Sequence, residues 1–458
     1  MSGEDQRSKT LFSWLFERVD IASLVVFRVV YGAAMLGIAA MFFVHDRIQK
    51  DFVEPVHFFS YPGLAWLKPL AGSGMHWLFG GLIVLSILVI VGACYRLAAL
   101  LLCLGWTYVF LTDQALYQHQ YYLFALLGLL MVCMPANRAF SIDVWLRPTR
   151  QIDTVPFWPV WLIRAQLDIV LLYNGLARIN ADWLSGGPVA LQLAPHTEMP
   201  VIGGLVTDLW LIRAFTYGFI VLDLFLAPLL MWRRTRGIAY FLAVAYHLVI
   251  ASFFNAGVYP WFMIGALTIF FCPSWPRRSL SLAEVEATQA EKSATGKQRL
   301  AVALIGLYVL VQLLVPLRQF LYEGNVSWHR QGERFSWRMR LDHRRLHRPQ
   351  FTVSVLGHST RDTASVDSIL SRRQYLLMCS HPDLIQRMCH LLREQYGEER
   401  GITEVEVRAY TSVSLNGRPP QQLIDPTIDL TSEPLNQRER TWIRPLDYEA
   451  RSPLAEAR

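Results

Sequence analysis

The most constraining feature of this chain is a succession of apolar runs of about hydrocarbon length: Ile21–Val44, Trp77–Ala93, Leu97–Thr112, Tyr121–Met134, Val155–Ala177, Leu205–Trp232, Ile238–Phe254, Val258–Cys272 and Leu300–Leu321. A bilayer admits only segments that satisfy their own backbone hydrogen bonds, so such runs read as helices. The expected fold is a polytopic α-helical membrane protein with about nine transmembrane helices. The third, fourth and eighth runs fall short of the roughly 20 residues that span a bilayer and fit buried or re-entrant helices equally well. Composition agrees: 53% of the 458 residues are hydrophobic and only 17% charged, against roughly a quarter charged in soluble domains.

The charges orient the helices. Arg96, Arg138, Arg147, Arg150, Arg233, Arg234, Arg236, Arg277, Arg278, Lys292, Lys297 and Arg299 all fall on one side of a nine-span arrangement, the side expected to be cytoplasmic. The amino terminus is then inside and the carboxy-terminal region outside. The first outer segment, with Arg47, Lys50 and Lys68, is a mild exception. The formal charge of +7 fits cytoplasmic loops and anionic lipid; no nucleic-acid signature accompanies it. No removable signal peptide precedes the first run. The expected divisions are a cytoplasmic tail over 1–19, a membrane domain over 20–322, an extracytoplasmic α+β domain over 323–446 and a disordered tail over 447–458.

In that outer domain, alternation in Arg334–Leu341, Phe351–Val355 and Glu404–Tyr410 reads as strands, and Pro382–Tyr396 has helical spacing. The basic cluster Arg338, Arg340, His343, Arg344, Arg345, His347 and Arg348 reads as a solvated strand edge, although it could also attract an acidic peptide or lipid headgroups. The linker from Pro273 to Lys297 reads as a flexible inner loop. The segment Asp51–Pro69 fits an interfacial segment and an outer loop packed on the bundle equally well. None of the six cysteines has metal-site spacing. An exported tail would permit a Cys379–Cys389 disulfide, but Cys389 reads as mid-helix and nothing brings Cys379 to it.

The polar stretch Tyr173–Trp183 closes the fifth apolar run and groups Arg178, Asn180, Asp182 and Trp183. On spacing alone the preferred reading is a snorkelling Arg178 and an interfacial Trp183; the alternative is a site facing the outer side. Asp113–Gln120 and Asn255 approach the same face. Deeper in the runs, Arg28, Arg164, Asp168, Asp223 and His247 are ionisable groups. Arg164 and Asp168, at i,i+4, read as an ion pair, Arg28 and Asp223 as interhelical glue, and His247 as a buried hydrogen-bonded histidine.

Taken in order, Cys94-Tyr95-Arg96, Trp106–Asp113, Tyr122-Leu123, Ala136-Asn137, Ser141-Ile142-Asp143, Arg164-Ala165-Gln166, Ala181-Asp182-Trp183, Tyr246-His247, Trp275-Pro276-Arg277, Phe335-Ser336-Trp337 and Asp425–Asp429 resemble the vitamin K-dependent gamma-glutamyl carboxylases and the bacterial relatives that share their HTTM transmembrane domain. The resemblance implies an integral protein of a bacterial inner membrane with reduced vitamin K as its quinone cofactor, O2 and CO2 as co-substrates and a glutamate-containing protein or peptide as acceptor. It implies a lyase-class carboxylation yielding gamma-carboxyglutamate, coupled to epoxidation of the vitamin, with no metal. The animal enzymes continue beyond the point where this chain ends, into a region tied to propeptide recognition, so propeptide guidance of that kind is not expected.

By the same resemblance the family's base lysine falls on Arg178 and its assisting histidine on Gln120. An arginine, with a pKa above ~12, does not accept the proton. The implied candidates are therefore Arg178 and the neighbouring His119 as catalytic groups, with Arg178 stabilising the hydroquinone anion, and Gln120, Asn180, Asp182, Trp183, His247 and Asn255 as quinone- or substrate-binding residues. A cap on a helix start remains the plain alternative for His119 and Asp182. A homologue that binds a quinone, lipid or peptide without carboxylating it, or that runs altered proton-transfer chemistry, is the alternative function. A secondary transporter finds no support, since no internal repeat occurs; a purely structural or immunity-type membrane protein would be indifferent to these residues.

Overall fold

The computed structural model describes residues 13–200, 203–283, 296–355, 361–366, 368–401, 405–435 and 438–449. Most of the expected inner loop (284–295), the first twelve residues and the tail from 450 lie outside them. The membrane domain comprises α1 (Ala22–Val44), α2 (Gly74–Val91), α3 (Tyr95–Leu111), α4 (His119–Cys133), α5 (Trp158–Arg178), α6 (Leu209–Met231), α7 (Arg236–Phe253), α8 (Tyr259–Ala266) and α9 (Gly296–Leu314). Among the described residues six helices are long and apolar enough to cross a membrane: α1, α2, α5, α6, α7, and α9 with its 3₁₀ extension to Leu321. The three that are not, α3, α4 and α8, are the three whose runs are short in the sequence.

Two polar clasps close the end of the bundle that carries the amino terminus. The short strands β1 (Arg18–Asp20) and β2 (Thr154–Pro156) pair antiparallel, and Arg277 bridges Asp20 and Asp153 at 2.9 Å each. Arg28, buried in α1, donates to the carbonyls of Ala136 and Phe140 at 2.7 Å, which is interhelical glue of the expected kind. Gly92 makes room for it: its φ is 67°, and a Cβ there would lie 2.7 Å from the Arg28 guanidinium. Arg164 departs from expectation. It donates to the carbonyls of Ile269 and Phe271 (2.8 and 2.9 Å) and forms no pair with Asp168, because the frayed end of the α8 segment offers unpaired carbonyls to the guanidinium fork.

The outer domain is α+β. Strands β3 (Arg344–Leu346), β4 (Gln350–Val355), β5 (Arg361–Ala364), β6 (Val405–Tyr410), β7 (Ser412–Leu415) and β8 (Gln421–Gln422) form two antiparallel sheets, ordered β5-β4-β6 and β3-β7-β8. Helices α10 (Arg372–Ser380) and α11 (Pro382–Arg400) pack on them. A capping box between Ser371 and Gln374 starts α10. The α11 stripe Leu384, Ile385, Met388 and Leu392 joins Val353, Val405 and Val407 in the core. Cys379 and Cys389 are buried thiols and form no disulfide with each other.

Each domain lends the other a ring. Phe59, in the loop after α1, is buried in the outer core, while Trp337 is buried in the membrane core. The 51–69 loop thus packs on the protein through Phe52, Phe59 and Tyr61 yet leaves Val56 and Trp66 exposed. The expected strand Arg334–Leu341 does not form. Phe335, Trp337 and Arg340 have φ of 66°, 57° and 53°, and such left-handed residues break a ladder. The alternation is real but serves a plug: Phe335 packs edge-on to Tyr117 and Tyr122, and Trp337 stacks 4.9 Å from Tyr122.

Candidate functional site

Beneath that plug is a cavity of about 450 Å³, within the range of about 300–1,000 Å³ typical of ligand pockets. Its floor is aromatic, from Trp183, Phe219, Tyr246, Phe254 and Tyr259. Its ceiling is charged, from Arg330, Glu333, Arg334, Arg338, Arg340 and Asp342. A smaller chamber of about 150 Å³ reaches toward α1, and both share Gln118, Gln120, Asn255 and Tyr259.

Arg178, on the last turn of α5, neither snorkels nor faces lipid. It is 4% exposed and ion-paired through Nη1 to Asp223 of α6. The partner explains the burial, since an unpaired guanidinium here would be far costlier than the pair. Asp223 accepts two further bonds, from Asn174 Nδ2 to Oδ2 and from Tyr246 Oη to Oδ1, both 2.7 Å. Arg178 Nη1 lies 3.3 Å from Tyr246 Oη, and the guanidinium sits 4.9 Å from the Trp183 ring centre and 5.3 Å from that of Phe219. Among the described residues its Nε–H has no partner. The roof reaches this network: the Met339 N–H donates to Asn174 Oδ1 at 3.1 Å.

His119, the first residue of α4, lies on the cavity wall. Tyr117 Oη accepts from the Phe335 N–H at 2.5 Å, which leaves its own proton for His119 Nδ1 at 2.9 Å. Through Tyr117 the ring is tied to the plug. Gln120, Trp183 and Asn255 line the cavity too.

Three candidates lie elsewhere. Asn180 caps the short helix Ala181–Leu184 by accepting from the Trp183 N–H at 3.0 Å, the role expected of Asp182. Asp182 instead accepts both Arg418 Nη atoms (2.6 and 2.8 Å) and Asn416 Nδ2 (2.7 Å), latching the membrane domain to the β7–β8 turn. Burial alone would raise the Asp182 carboxyl, but these donors overcome it and hold it below the usual carboxylate value. His247 is buried among apolar groups with neither ring nitrogen bonded, not the hydrogen-bonded histidine expected. Trp183, 1% exposed with Nε1 donating to the Thr216 carbonyl at 3.1 Å, is a floor residue and not an interfacial anchor.

The ceiling is over-supplied with cations. Arg330 is paired with Glu333 and, at 3.0 Å, with Asp342, and Arg334 with Asp383 at 3.0 Å. Burial would raise Asp383, yet Arg334 and its neighbours hold it well below the usual carboxylate range. Burial, reinforced by Arg330, depresses Arg344 to about 9. Arg338 is held by neutral groups, Gln319 Oε1 and Ser327 Oγ at 3.0 Å. Among the described residues Arg340 has no carboxylate partner, and burial lowers its guanidinium from the ordinary value. Arg338 and Arg340 thus roof the cavity, while the rest of the basic cluster is the expected strand edge: Arg344 and Arg345 lie on the edge strand β3, and Arg345, His347 and Arg348 are exposed. Among the described residues no group of His, Cys, Asp and Glu could hold a metal. Asn174 lies in the polar stretch Tyr173–Trp183, Tyr246 in the Tyr246-His247 pair and Asp223 inside an apolar run, but their meeting in one network was not legible, because the partners come from different helices.

The HTTM domain family matches residues 16–275, and the vitamin K-dependent gamma-carboxylase lumenal domain matches residues 297–449. No solved structure matches the chain. The first match covers the bundle that carries Arg178, Asp223 and Tyr246, and the second covers the plug and the cationic ceiling. The chain is a membrane protein of the HTTM domain family and a relative of the vitamin K-dependent gamma-carboxylases.

Proposed function

We propose that this protein is a carboxylase-like enzyme of a bacterial inner membrane, spanning it nine times with its amino terminus cytoplasmic. It takes a membrane quinol, reduced vitamin K or a close analogue, over the aromatic floor, and a glutamate side chain of a protein or peptide under the arginine ceiling. The observation that carries this reading is the joining of those two surfaces in one cavity at the domain junction. The residues fit a quinol: flat rings lie below, and the Arg178 guanidinium lines the same cavity. With O2, the quinol supplies the strong base that opens the glutamate γ-carbon to CO2. Arg178 holds negative charge without accepting a proton, and Arg340 fixes the acceptor carboxylate.

The second reading, binding without carboxylation, draws on the Arg178–Asp223 pair, which leaves a compensated ion pair where the family's lysine stands. Mass spectrometry separates the two. Purified protein is incubated with a glutamate peptide, reduced vitamin K, bicarbonate and oxygen, alongside Arg178→Lys and His119→Ala. Carboxylated peptide from the wild type supports the enzyme; its loss in His119→Ala assigns that ring a necessary part. Product only in Arg178→Lys, or none at all, refutes native carboxylation and leaves the binder.

A further inference from the structure

The cavity holds a proton acceptor that is neither Arg178 nor His119. Tyr246 lines the cavity, and behind it Asp223, whose side chain is fully buried, accepts the Tyr246 hydroxyl proton at 2.7 Å. Asn174 and Arg178 bind only the other carboxylate oxygen, Oδ2. Among the described residues Oδ1 therefore has just the tyrosine and can take a proton without displacing any donor. The His119 Nδ1 lacks that freedom, because it already accepts from Tyr117.

We propose that Tyr246 and Asp223 act as a two-step proton relay for the hydroxyl of a bound aromatic alcohol, the role that Arg178 cannot fill. This rests on the quinol reading of the cavity. The substrate O–H gives its proton to Tyr246 Oη while Tyr246 gives its own to Asp223 Oδ1. The Oη–H bond that breaks is replaced by the one that forms, the carboxylate becomes a carboxylic acid, and the electron pair stays on the substrate oxygen. No oxidant is consumed. The hydrogen bond then reverses, Asp223 donating to Tyr246.

Electrostatics favour this route over loss of the proton to solvent. Before transfer the site holds the Arg178 cation and the Asp223 anion; afterwards it holds the same cation and the substrate anion. One negative charge changes place beside one guanidinium, and no net charge is created in a dry interior, where that would be most costly. Asn174 is a positioning residue: it donates to Asp223 and accepts the Met339 N–H, so the network is complete only with the roof seated.

The test uses naphthol, a redox-inert aromatic alcohol, with the detergent-purified full chain at neutral pH, where free naphthol is un-ionised. Bound to the wild type it is expected to show naphtholate absorption together with a new protonated-carboxyl band in the infrared difference spectrum. Asp223→Asn loses that band. Because this change strips Arg178 of its counterion and threatens folding, Tyr246→Phe, which keeps the ion pair, carries the test independently: it binds naphthol but loses the naphtholate absorption. Naphtholate without the carboxyl band, naphtholate persisting in Tyr246→Phe, or naphthol bound as the neutral alcohol overturns the relay alone. Failure of the wild type to bind naphthol overturns the quinol reading and the relay with it.

Discussion

Arg178 at the end of α5 and Asp223 in the middle of α6 form a buried ion pair across the bundle, with side chains 5% and 0% exposed. Removing one partner leaves the other charged and unsolvated. Arg178→Ala or Asp223→Ala is therefore expected to cost about 3–5 kcal/mol, and the double variant less than the sum of the two. Thermal unfolding in detergent measures this. Additive losses would mean that the two groups do not depend on one another.

The latch from Asp182 to Arg418 is expected to be acid-sensitive. Folding holds the Asp182 carboxyl below its ordinary value of 3.8, so the folded state binds fewer protons than the unfolded one. Its stabilisation is fully present above that value and is lost as pH falls through the lower, folded one. Hydrogen exchange in the β7–β8 turn, expressed relative to the intrinsic amide rate at each pH and followed from neutral pH down into the acid range, should rise in wild type and be high and pH-independent in Arg418→Ala. A flat profile in the wild type would contradict the latch.

Trp337 fills the membrane core from the other domain, and Trp337→Ala is expected to cost about 3–5 kcal/mol. It should also open the cavity, seen as faster labelling of a cysteine placed at Ala256, a buried residue of the cavity wall. Loss of stability without faster labelling would separate packing from closure.

These tests address what the sequence left open. The helices were legible because hydrocarbon length is written in composition, and the three short runs became the three short helices. Partners were not. Arg178 and Asp223 are separated by 45 positions, and no local pattern says that one meets the other rather than lipid. Arg334–Leu341 misled for a different reason: its alternating rings and arginines do face opposite ways, rings into the membrane core and arginines into the ceiling, but through left-handed turns instead of a pleat. Asp182 and Asn180 exchanged roles because a cap and a latch require the same side-chain chemistry.

Arg340 has no carboxylate partner among the described residues, so its guanidinium is available to an acceptor. Arg340→Ala is expected to weaken binding of a glutamate peptide about tenfold, about 1.4 kcal/mol, while leaving naphthol binding unchanged. Fluorescence titration of both ligands checks this. Equal weakening of the two would place Arg340 in the structure of the cavity and not in recognition of the acid.

The most direct measurement is photolabelling of the full chain with a photoreactive naphthoquinone, followed by peptide mapping with and without excess reduced vitamin K. If one cavity serves the quinol, competed labels fall on Tyr246–Ile250 of α7 and on Met339–Asp342 of the plug, from both domains at once. Labels confined to lipid-facing positions such as Leu304 and Leu307 of α9, or labels that vitamin K does not compete, would contradict it.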